Sequence, residues 1–182
     1  MAIKATICKA DLQIADMDRN YYASHALTIA RHPSENDARM MIRVLAFALN
    51  ASDDLAFTKG LCDTDEPDIW RKDLTGAIEL WIELGQPDEK RLRQICAKAE
   101  RVKVYCYNGR TAEIWWDEIK NKAQRFDNLS VCNIQADAVE ALARLAARSM
   151  QLQCTVQEGQ IWLANGEESV LVEPEFWKNV RQ

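Results

Sequence analysis

Apolar and polar positions alternate along two stretches near the start of the chain, residues 3–14 and 21–31. Ile3, Ala5 and Ile7 share one phase of the first; His25, Leu27 and Ile29 share one phase of the second. A period of two predicts strands, and the polar run Asp16-Met17-Asp18-Arg19-Asn20 between them predicts an antiparallel pair. The period then lengthens. Pro33-Ser34-Glu35 opens a helix with Ser34 as its N-cap, and Met41, Val44, Leu45, Ala48 and Leu49 recur at helical spacing until Asn50 and Ser52 end it. Residues 51–76 are acidic and irregular, with room for short strands at 55–59 and 67–71.

The clearest strand is predicted at 77–84, where Ile78, Leu80, Ile82 and Leu84 alternate with Glu79, Trp81 and Glu83. Gly85-Gln86-Pro87 breaks it. Asp88 and Glu89 then start a helix striped by Leu92, Ile95, Cys96 and Ala99, and a strand follows at 102–107. This strand, helix, strand order predicts a right-handed crossover between parallel strands. A helix at 111–123, a strand at 129–134 and a helix at 136–149 continue the alternation. Strands at 152–156 and 161–164 about a Glu158-Gly159 turn form a C-terminal β-hairpin, with 170–172 as a further strand. The order predicts an α/β protein built on one mixed sheet flanked by helices. No repeat or linker divides it, so residues 1–182 are expected to form a single domain.

Composition narrows the partners. The chain has 182 residues, 48% of them hydrophobic and 28% charged, which suits a globular core. Its net charge of −5 argues against a protein that coats nucleic acid, since such binding relies on Lys and Arg. The charge is uneven: residues 1–85 sum to −5, 86–125 to +4 and 126–182 to −4. Lys4, Lys9 and Asp11 interrupt what a secretory signal core would need. The six cysteines (Cys8, Cys62, Cys96, Cys106, Cys132 and Cys154) lack zinc-ligand spacing, and most fall in apolar segments. A reducing cytoplasm is expected. His25 and His32 are read as polar strand-end residues, and Trp70, Trp81, Trp115 and Trp116 as packing groups. No Gly-rich phosphate loop is present.

The chemistry lies in Pro67-Asp68, fourteen residues of spacer, and Glu83 at a strand end. Two carboxylates brought together there suit Mg²⁺, a hard cation that takes oxygen ligands and activates water against a phosphate. Glu79 is about 13 Å along the strand from Glu83, too far to share one ion, so Asp68, or Asp73 in another register, is its expected mate.

The block PDIWRKDLTGAIELWIELGQP, continuing into DEKRLRQICAKA, resembles the YaeQ family of bacterial proteins, as do the N-terminal KADLQIADMDRNYYASHALTIARHPSE and the C-terminal MQLQCTVQEGQIWLA. The family in turn resembles the PD-(D/E)xK, restriction-endonuclease-like group, in which acidic residues bind Mg²⁺ beside a catalytic lysine. The resemblance implies that Asp68 is the acid of the PD element and Glu83 that of the (D/E)xK element, both metal ligands. The lysine is missing, because Gly85 holds its place. Gln86 is adjacent, and Lys90 and Lys103 are the candidate replacements; Glu35 is a candidate additional acid. Two functions follow as expectations: a Mg²⁺-dependent phosphodiesterase acting on nucleic acid, with the basic 90–103 region near the phosphates, or a non-catalytic regulatory module that keeps the nuclease-like fold to bind a protein or nucleic acid.

Overall fold

The computed structural model describes residues 4–59, 61 and 63–180. Ile3 and Cys62, both used in the sequence reading, lie outside these. In chain order the elements are β1 (Thr6–Asp16), β2 (Tyr21–Arg31), α1 (Asp37–Asn50), β3 (Leu55–Phe57), β4 (Ile69–Lys72), β5 (Ile78–Leu84), α2 (Glu89–Lys98) and β6 (Ala99–Cys106). They continue with α3 (Arg110–Ala123), β7 (Leu129–Asn133), α4 (Ala136–Ala143), β8 (Ser149–Gln157), β9 (Gln160–Ala164), β10 (Ser169–Val172) and β11 (Glu175–Lys178). The fold is α/β, as the alternation predicts, but the strands form two mixed sheets where one was expected. The chain packs as two compact units, residues 1–51 with 137–174 and residues 52–136 with 175–182. Among the described residues no helix is long and apolar enough to cross a membrane.

The first unit carries a five-stranded sheet of order β10-β9-β8-β1-β2. The antiparallel β1–β2 pair is as predicted, running from Thr6↔Arg31 to Asp16↔Tyr21. Its phase is not. Cys8, Ala10, Leu12 and Ile14 are buried while Ile7 is 48% exposed, so the face that holds the larger unbroken apolar set wins the core. The predicted hairpin forms as β8–β9, and β8 lies parallel to β1 from Lys9↔Ser149 to Asp16↔Val156. That pairing explains why the helix expected to reach 149 stops at Ala143: residues from Ser149 onward are claimed by β1. The N-cap of α1 is Asn36, whose side chain accepts from Arg39 N–H at 2.8 Å. Ser34 is instead held in a turn, its N–H donating to His32 Nδ1.

The second unit carries a six-stranded sheet of order β11-β7-β6-β5-β4-β3. Its centre is the predicted crossover, with β5, β6 and β7 parallel and registers such as Trp81↔Val102 and Val102↔Leu129. Helices α2 and α3 cover one face, where Trp81, Leu92, Ile95, Val102, Val104 and Val131 form a closed apolar cluster. Each such side chain contributes about 1.5–3 kcal/mol by leaving water. The sequence pattern misses β11, which pairs antiparallel with β7. A four-residue strand that contains Lys178 has no alternation to announce it. The lysine is nonetheless buried, its ammonium donating to the Phe126 and Leu129 carbonyls at 2.8 and 3.0 Å.

Candidate functional site

Strand β5 delivers Glu83 to the end of the central ribbon, and β4 delivers Asp68 beside it. The two strands are antiparallel with Ile69 opposite Ile82. Asp68 lies one residue before β4; its N–H donates to Ile82 O at 3.1 Å, and its carboxylate Oδ2 accepts Leu84 N–H at 2.9 Å. Asp68 is therefore tied to the backbone on both sides of Glu83. It is 4% exposed, so this bond supplies part of what a buried carboxylate needs.

Glu83 shares a face of β5 with Trp81, since side chains alternate along a strand. Its Oε2 accepts the Trp81 indole N–H at 2.7 Å, and its Oε1 accepts from Arg91 Nε and Nη2 at 3.3 and 3.2 Å. Burial pushes the Glu83 carboxyl above its usual 4.5; the Trp81 and Arg91 hydrogen bonds and the Arg91 charge oppose that, and the nearby Asp68 charge adds to it. The two acids the sequence singled out are thus electrostatically coupled.

Arg91 is set by the start of α2. Asp88, one of the two acids predicted to start this helix, is its N-cap, and its carboxylate accepts Arg91 N–H at 2.7 Å. The guanidinium then reaches back over the Trp81 ring, 5.4 Å from its centroid, and also donates to the carbonyls of Thr64 and Glu66. One cation therefore closes Glu83, the indole and the loop before β4 into a single clasp. The sequence reading takes Arg91 only as part of a basic helix face. The available signal was Asp88, which fixes the first turn and so fixes which cation points inward.

The candidate lysines go elsewhere. Lys90 is exposed; successive helical residues differ by about 100°, so it cannot share the direction of Arg91. Lys103 pairs with Ile82 while Glu83 pairs with Val104, which assigns Lys103 to the opposite sheet face from Glu83. Gln86 accepts from the Asn108 amide at 3.3 Å, toward the loop before α3. Gly85, in the place of the missing lysine, has φ of +106° and no atom within 4 Å of where a Cβ would stand. Space would allow a side chain there, but the backbone disfavours one.

The other acids are also engaged. Glu35 belongs to the first unit, buried between Arg43 at 2.7 Å and Arg39 at 3.0 Å. Asp73 caps its own turn through Thr75 and Ala77, and those bonds hold its carboxyl below the usual range. Glu79 pairs with Arg71 at 2.8 Å. Of the basic region, Arg93 and Lys122 both pair with Glu89.

Magnesium needs carboxylate oxygens turned to an open coordination sphere that retains water. Each Glu83 oxygen here faces an N–H donor, Asp68 is buried, and the described residues contain no group of three or more acids, cysteines or histidines able to hold a metal. The side chains in this arrangement do not fit the ion. Burial also lifts the Cys96 thiol to about 11 and those of Cys132 and Cys154 to about 12, which keeps these three protonated near neutral pH.

A family model for the YaeQ protein matches residues 1–174. The Uncharacterized protein YaeQ of Escherichia coli (strain K12) is 44% identical over 178 residues, 98% of each chain, and that of Salmonella typhi agrees to the same extent. The crystal structure of YaeQ protein from Xanthomonas axonopodis pv. citri superposes with a TM-score of 0.93 at 46% identity, covering 96% of this chain and 98% of that one. The crystal structure of YaeQ protein from Pseudomonas syringae gives 0.92 at 32% identity, covering 96% and 97%.

Proposed function

This chain belongs to the YaeQ family, and on that premise we propose that it is a non-catalytic binding module of restriction-endonuclease-like descent. In this reading Asp68 and Glu83 survive from a PD-(D/E)xK site as parts of a structural clasp. The observation that carries it is the Arg91 guanidinium on Glu83, with the Leu84 N–H on Asp68. A cation supplied by the chain itself sits on Glu83 where a nuclease would use Mg²⁺, and it does so without offering water a coordination site. Gly85 supports the same reading, because its φ of +106° opposes the lysine that would activate a nucleophile. The free thiols of the described cysteines suit a reducing, cytoplasmic setting.

The test is a cleavage and binding assay on the whole chain. Single-stranded and duplex DNA and structured RNA are incubated with Mg²⁺ or Mn²⁺, and metal binding is followed by calorimetry. The expected result is intact nucleic acid and no binding heat. Cleavage that disappears in both Asp68→Asn and Glu83→Gln would instead establish a Mg²⁺-dependent phosphodiesterase and overturn the proposal.

A further inference from the structure

The turn between β9 and β10 runs Asn165-Gly166-Glu167-Glu168. Its asparagine folds back onto the loop. Oδ1 accepts the Glu167 N–H at 3.0 Å and the Glu168 N–H at 2.8 Å, while the Asn165 N–H donates to Glu168 O at 3.0 Å. Asparagine suits such a turn because its short amide stands in for a backbone carbonyl. Gly166 has φ of +92°, and no atom lies within 4 Å of where a Cβ would stand. That backbone favours glycine, and the missing side chain leaves the Gly166 nitrogen unshielded. Neither the Gly166 N–H nor Asn165 Nδ2 hydrogen-bonds to another described residue.

Two N–H groups on one amide oxygen have the form of a donor pair that stabilises a tetrahedral oxyanion. They draw charge from Asn165 Cγ. The neighbouring Gly166 nitrogen is the nucleophile in place, since its attack closes a five-membered ring. A cavity of about 160 Å³ opens beside Asn165 and Gly166, with Asp11 and Gln151 also on its wall, so water can enter and ammonia can leave.

We infer that Asn165 is a site of spontaneous deamidation, with its own turn serving as the oxyanion hole. Solvent base takes the Gly166 amide proton, the nitrogen bonds to Asn165 Cγ, and the carbonyl electron pair moves onto Oδ1. Collapse breaks the Cγ–Nδ2 bond, and ammonia leaves with a proton from water. The succinimide then adds water at one of its two carbonyls. Addition at Cγ restores the normal backbone as aspartate; addition at the main-chain carbonyl breaks the original peptide bond and leaves isoaspartate. An amide and a water become a carboxylate and an ammonium ion, with no change in oxidation state. The product places a new negative charge beside Glu167 and Glu168.

The chain's other Asn-Gly pair, Asn108-Gly109, lacks these features. Asn108 Nδ2 donates to Gln86 at 3.3 Å, which holds the leaving group, and Asn108 Oδ1 accepts from no other described residue. Gly109 is fixed at the start of α3, where its carbonyl accepts the Ala112 and Glu113 N–H groups. The Asn165 site lies in the first unit and goes beyond the clasp reading, so failure of either leaves the other standing.

The experiment incubates the whole chain in mildly alkaline buffer, folded and in guanidinium chloride, and follows both asparagines by peptide mass spectrometry. Isoaspartate is counted by labelling with a protein isoaspartyl methyltransferase. In the folded chain Asn165 should convert several-fold faster than Asn108, at a rate that rises with pH; in denaturant the two should convert alike. Asn165→Gln should remove the folded chain's leading isoaspartate signal, because its longer side chain would have to close a six-membered ring. Conversion led by Asn108, equal conversion of the two in the folded chain, or no isoaspartate at Asn165 by the time the denatured sample has converted would overturn the inference. A lead for Asn165 that persists in denaturant would place the cause in local sequence and overturn the role given to the turn.

Discussion

Glu83 is held by opposing effects, and its titration reports their balance. Its folded carboxyl titrates above the ordinary 4.5 because burial and the Asp68 charge outweigh the Trp81 and Arg91 contacts. A folded state that keeps its proton longer binds more protons than the unfolded one between the two values, so stability falls as pH rises through that window. Urea titrations of the parent chain and Glu83→Gln, run from pH 4 upward, should therefore show the parent losing ground to the variant as pH passes 4.5. A difference that stays flat or reverses would refute this account. Arg91 is the counterweight. Arg91→Ala strips a partly buried carboxylate of its cation and frees the carbonyls of Thr64 and Glu66. It should cost about 2–3 kcal/mol by urea denaturation and raise the Glu83 carboxyl further. Arg91→Lys should recover only part of the loss, since an ammonium cannot reproduce the planar fork.

Strand ends decide what surrounds this pair. Asp68 accepts the Leu84 N–H at the end of β5, so Asp68→Ala should leave a buried donor without an acceptor and cost about 1–3 kcal/mol. Asp68→Asn keeps a carbonyl in place and should cost less; equal losses in chemical denaturation would show that charge, rather than the bond, matters. Immediately beyond, β5 turns toward α2 through Gly85, whose N–H donates to Tyr105 O. The positive φ makes this a conformational requirement, not a packing one, because a Cβ there would meet nothing. Gly85→Ala and Gly85→Lys should therefore destabilise by similar amounts, about 1–2 kcal/mol. Restoring the lysine of the nuclease pattern should yield no cleavage of DNA or RNA in Mg²⁺. Cleavage by Gly85→Lys would mean the clasp opens readily.

At the scale of the molecule, the two units share their segments by alternation along the chain: residues 1–51, then 52–136, then 137–174, then 175–182. The last piece is short, but it completes the edge of the six-stranded sheet. Lys178 ties β11 to the Phe126 and Leu129 carbonyls, and Trp177 stacks on Trp116 at 5.8 Å. Truncation after Pro174 should lower the thermal midpoint by several degrees, as expected for a loss of about 1–2 kcal/mol or more. Lys178→Met should reproduce part of the drop, and an unchanged midpoint in both would mean β11 contributes nothing to stability. The elements were legible where a long run set its own period: β1 and β2, the β5-α2-β6 crossover, α3, β7 and the β8–β9 hairpin all follow from spacing and turn residues. The sequence alone also singled out Asp68 and Glu83 and brought Asp88 to the start of α2. Only the tertiary structure decided the rest. Local periodicity cannot tell which face of β1 meets the core, that β8 would pair in parallel with a strand over a hundred residues earlier, or that the sheet would be two. Nor can it say which neighbouring cation reaches an acid, because helix phase and sheet face send Arg91 inward and Lys90 and Lys103 away, and those directions exist only once the chain has closed on itself.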